Sequence, residues 1–201
     1  MKKVICILLS MFVLFSLVSC EILEDYVTKL QHSDSDSDGV CDNCTGECPY
    51  ISIVSIYIKD GKNPESEYED SKTVPIVDDQ MWEPGYYCVR TLKLENNTDN
   101  DVEFKLSLTS SEENVSRLVE VIDVYYFSSA KTDVKHADLT ENIKVGTLQD
   151  VLNQKVNIPS ASLSGKCSTT ITLVFKMVEF AGNEYQNLDL EKIFIKAEVE
   201  Q

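Results

Sequence analysis

The chain has 201 residues, 18 basic and 34 acidic, for a net charge of −16, with 43% hydrophobic residues and seven cysteines. The length fits one domain with a short extension. The acidic balance, with no Lys/Arg cluster, excludes the phosphate-contacting surface that nucleic-acid binding needs and suits an exported or cation-associated protein.

Met1-Lys2-Lys3 is a short positive region, followed by an apolar run from Val4 to Ser19. At about 16 residues the run is shorter than the roughly 20 of a spanning helix, and its flanks fit a secretory signal, residues 1–19. It ends Leu17-Val18-Ser19-Cys20, which resembles the lipobox of bacterial lipoproteins. That resemblance implies cleavage before Cys20, a diacylglyceryl group on its thiol and attachment to the outer face of the cell membrane. Both lysines of the signal leave with it, so the mature charge is nearer −18.

Residues 20–49 read as an acidic, cysteine-containing tether. Asp34, Asp36 and Asp38 alternate, Gly39 follows and Asp42 lies four residues past Asp38. This is the Asp-x-Asp-x-Asp-Gly head of a calcium loop, in which alternate carboxylates turn toward a hard cation. The twelfth position is Thr45 where an EF-hand has a bidentate Glu, and Glu47 comes two residues too late, so weak affinity is expected. Cys41, Cys44 and Cys48 with His32 offer a Cys₃His zinc site instead. Calcium, zinc and a metal-free tether all remain open on the sequence.

Beyond residue 50 the texture changes. Alternating, β-branched runs predict strands over 51–59, 86–94, 102–108, 121–129, 169–178 and 193–199. Residues 60–72 read as a loop. The Asn/Asp-rich segment 95–101 reads as the turn of a hairpin joining 86–94 to 102–108. Short helices are predicted over 111–119 and 147–153, the second capped by Thr147 with Asp150 completing Thr-x-x-Asp. Many short strands with few helices predict an all-β antiparallel sandwich over 50–201.

Pro84-Gly85 predicts a turn entering a strand. Trp82, the one tryptophan, reads as a core or edge plug. Gly182 to Gln186 reads as a turn anchored by Tyr185. Cys88 and Cys167 are compatible with a disulfide or with buried free thiols.

The segments MWEPGYYCVRTLKLENNTDNDVEFKLSL, LVEVIDVYYF, VGTLQDVL and TLVFKMVEFAGNEYQNLDLEKIFIKAEVEQ resemble, in order, the TasA/camelysin family of exported Gram-positive proteins. The resemblance implies a jelly-roll β-sandwich. It also implies a role at the cell surface, in some members as a biofilm-matrix fibre in which one subunit's N-terminal strand completes the next subunit's sheet. Some members were classed as metalloendopeptidases. A lipobox departs from the fibre formers, which are released, and points to a surface-bound binding module or a base for other subunits.

Catalysis finds little support in the residues. The two histidines, His32 and His136, form no His-Glu-x-x-His, and there is no Gly-x-Ser-x-Gly elbow or phosphate-binding Gly loop. His136 reads as a solvated loop residue. The expectation is a non-catalytic surface protein for adhesion, surface structure or matrix assembly, the alternative being a metalloendopeptidase of the camelysin type.

Overall fold

A computed structural model describes residues 53–77, 82–112, 115–185 and 188–199. The signal segment, Cys20 and the tether with His32, Asp34, Asp36, Asp38, Cys41, Asp42, Cys44 and Cys48 lie outside the described residues, as does Gln186. The described residues belong to one compact unit that begins at Ile53.

That unit is an all-β antiparallel sandwich. The strands are β1 (Val54–Asp60), β2 (Glu69–Asp70), β3 (Tyr87–Asn96), β4 (Val102–Ser110), β5 (Ile122–Phe127), β6 (Lys144–Thr147), β7 (Ala161–Leu163), β8 (Ser168–Met177) and β9 (Ile193–Val199). One sheet has the order β2-β1-β3-β8-β5-β6 and the other β7-β4-β9. Period-two alternation turns Ile56, Ile58, Leu92, Leu94, Leu173 and Phe175 of the first sheet toward Phe104, Leu106, Leu108, Ile193 and Ile195 of the second, and these form one core. Burial of that apolar surface is the main stabilising term.

The expected hairpin between residues 86–94 and 102–108 is not formed. β3 pairs with β1 and β8, whereas β4 pairs with β7 and β9. The Asn/Asp-rich turn is a corner that carries the chain from one sheet to the other, and its hydrogen bonds go elsewhere. Asn96 N donates to Cys167 O (2.9 Å), Asn97 N to Ile53 O (2.9 Å), and Lys166 N to Thr98 O (2.8 Å). The Asn96 amide, 3% exposed, holds the corner from within. Its Nδ2 donates to the carbonyls of Asn100 (2.7 Å), Leu163 (3.1 Å) and Ser164 (3.2 Å). Its Oδ1 accepts from Thr98 N (2.9 Å) and Thr98 Oγ1 (2.8 Å).

The helix expected over 111–119 is replaced by a single 3-10 turn at Arg117–Glu120, capped by Ser116. Ser111 N donates to Lys192 O (2.9 Å), and Ser116 N donates to both Glu191 carboxylate oxygens (2.9 and 3.0 Å). Tertiary bonds at both ends outcompete local helix formation over so short a span. The second helix forms as α1 (Leu148–Leu152), with Asp150 N donating to the Thr147 hydroxyl at 3.1 Å. Strands β2, β6 and β7 were not expected. They have two to four residues each, too short to show a periodicity.

The outer face of the larger sheet carries a second, smaller core. Val89, Val174 and Tyr125 pack under Val134, with Leu139 and Ile143 against them, so the connection from β5 to β6 covers this face. Thr172 pins that connection, accepting from Lys131 N at 2.9 Å and donating to Ser129 O at 3.2 Å. Tyr125 sits in this cover, 4% exposed. Burial, and then the Asp123 carboxylate beside it, push its phenol up to about 12. The folded chain therefore holds this proton more tightly than the unfolded chain, whose Tyr titrates near 10. The stabilisation is full below pH ~10 and is lost as pH rises through about 12. Wild-type stability is expected to fall by about 2 kcal/mol across that window through this group, and Tyr125→Phe to fall less. Urea midpoints measured every half pH unit check this, and identical alkaline slopes for the two proteins would refute it.

Candidate functional site

Beside β1, β2 and β3 lies a cleft of about 400 Å³. Its walls are Ile58, Val74, Pro75, Tyr86 and Cys88, with Arg90 among them and Lys59, Asp60, Lys62 and Glu69 at the rim. The turn Glu83-Pro84-Gly85-Tyr86 positions one side. Gly85 takes a φ of +83°, which Gly tolerates best, and Tyr86 N donates to Glu83 O at 2.8 Å. Trp82 is buried in the core as expected of a plug, edge-on to Tyr86 with ring centroids 5.5 Å apart.

Arg90 is the unusual member. Its place in β3 follows Cys88 and precedes Leu92 and Leu94 at intervals of two, so it shares their inward face. Register confirms this, Arg90 lying opposite Asp60 on β1 and Leu173 on β8. The side chain is 15% exposed. Its Nε donates to Ile76 O at 2.8 Å, which fixes the guanidinium plane. The remaining donors make no hydrogen bond among the described residues. Asp60 forms an ion pair with it, Oδ1 standing 3.9 Å from Nη1, and the same oxygen accepts from Lys62 N at 2.9 Å. The rim lysines are held elsewhere. Lys62 Nζ donates to Tyr87 O at 2.6 Å and lies 3.7 Å from the Tyr87 ring centroid, and Lys59 Nζ lies 5.0 Å over the Tyr68 ring. The cleft thus sets one oriented, mostly buried guanidinium beside the Asp60 carboxylate, in a lining that mixes apolar and charged side chains. Such a fork matches a planar carboxylate.

Of the two readings open for Cys88 and Cys167, the disulfide is not formed, and Cys88 is buried while Cys167 is exposed. Cys88 lies opposite Phe175, while Glu95, seven residues on, lies opposite Ser168, next to Cys167. At about 3.4 Å per residue that separation is far beyond disulfide reach.

His136 lies in a 3-10 turn, His136–Asp138, not in an irregular loop. It is 47% exposed, with Nε2 3.1 Å from Glu179 Oε1. Lys176 Nζ reaches the same oxygen at 3.2 Å. Among the described residues no three His, Cys, Asp or Glu side chains gather as a metal site. Tyr185 anchors its turn as expected, donating to Glu120 Oε2 at 3.0 Å beneath the Arg117 guanidinium. That bond raises the Tyr185 phenol above its ordinary value.

The alternation that predicts a strand over residues 86–94 does not by itself mark Arg90 as a site residue. The signal was its spacing of two from Cys88 and Leu92. Among the described residues no helix is long and apolar enough to cross a membrane.

No protein-family model and no curated protein matches the chain. Among solved structures it is similar to the secreted serine protease VesC from Vibrio cholerae, at 13% identity and a TM-score of 0.24 over 60% of this chain. The match covers 20% of that structure, and a likeness this slight bears on neither fold nor activity.

Proposed function

We propose that the chain is a non-catalytic bacterial cell-surface lipoprotein. Its β-sandwich is displayed on an acidic tether for adhesion, surface structure or biofilm-matrix assembly. The observation that supports this is a sandwich with its own two-sheet core, beginning at Ile53, behind a lipobox at Cys20. The ordered resemblance to the TasA/camelysin family supports the matrix role. Electron microscopy of cells with and without the gene product tests the reading, with surface fibres or a surface layer expected in the first alone. Casein digestion with and without a chelator tests the metalloendopeptidase alternative. Chelator-sensitive cleavage would overturn the non-catalytic reading.

The tether, in this reading, takes calcium through Asp34, Asp36, Asp38 and Asp42. The missing bidentate Glu removes two ligand oxygens, so affinity falls in the roughly 10⁻⁴ to 10⁻³ M range of extracellular modules. Calorimetry on a reduced peptide of residues 32–50 is expected to show calcium heat at millimolar levels, lost in Asp36→Ala. Tight zinc binding with proton release, through His32, Cys41, Cys44 and Cys48, would favour the thiolate site instead.

A further inference from the structure

We draw no further inference here: the strongest candidate, the exposed Cys167 thiol on the connection from β7 to β8, is a lone cysteine among the described residues, and nothing there shows what would react with it.

Discussion

Asn96→Ala is expected to lower the unfolding free energy by about 3–4 kcal/mol. Few single side chains here do more. One buried amide serves five partners at the corner between the sheets: three carbonyls, a backbone N–H and a hydroxyl. Alanine leaves these groups facing a small void, and each unmet buried polar group costs about 1–3 kcal/mol before relaxation or entry of water. Asn96→Asp separates the two halves of the amide. It keeps an acceptor for Thr98 but turns a carboxylate toward the carbonyls of Asn100, Leu163 and Ser164, so it is expected to be at least as damaging as alanine. Urea midpoints at unchanged slope are the measurement. A loss below about 1 kcal/mol in Asn96→Ala would mean that this corner is held by something else.

Gly165→Ala acts on the same corner from the other side. A Cβ at Gly165 would stand 2.0 Å from the carbonyl oxygen of Asp99 and 3.1 Å from Asn100 N. These are backbone atoms, so no rotamer change relieves the contact. Either the β7–β8 connection or the β3–β4 corner must move. Moving them strains the bond from Lys166 N to Thr98 O and that from Gly165 N to Asp101 Oδ1. A loss of about 3 kcal/mol is expected, at the upper end for overpacking. The gain alanine brings by restricting the unfolded chain, about 0.4–1 kcal/mol, is smaller. Thermal melts check the value. Since both substitutions disturb one corner, their effects are expected to be less than additive, and the double variant measures the coupling.

The strands that were legible are those with a clear period of two. Residues 193–199 match β9 at both ends, and the runs predicted over 86–94 and 169–178 fall within two residues of β3 and β8. Fold class followed from these. Pairing did not, because alternation says which face a residue takes and nothing about which strand lies beside it. The Asn-rich segment 95–101 looked like a hairpin turn on composition, yet its amides bond to Ile53, just before β1, and to the β7–β8 connection. The covered outer face was partly readable. Ile171, Leu173, Val174 and Phe175 break the alternation in β8, and such a run marks a strand buried on both faces. Cys88 and Cys167 could be placed in a strand and a turn, but their separation depends on register, which the sequence does not carry. Arg90 was readable as an inward charge. The cleft around it was not, because Val74 and Pro75 come from a connection with no periodicity of its own.

We propose that the sandwich is held at the cell surface by acylated Cys20. Metabolic labelling with an alkyne fatty acid, followed by fractionation of cells making the wild type or Cys20→Ala, tests it most directly. The account predicts label on a membrane-associated wild type, and no label on a variant that is released or left unprocessed. A Cys20→Ala variant that carries label and fractionates with the membrane as the wild type does would contradict it.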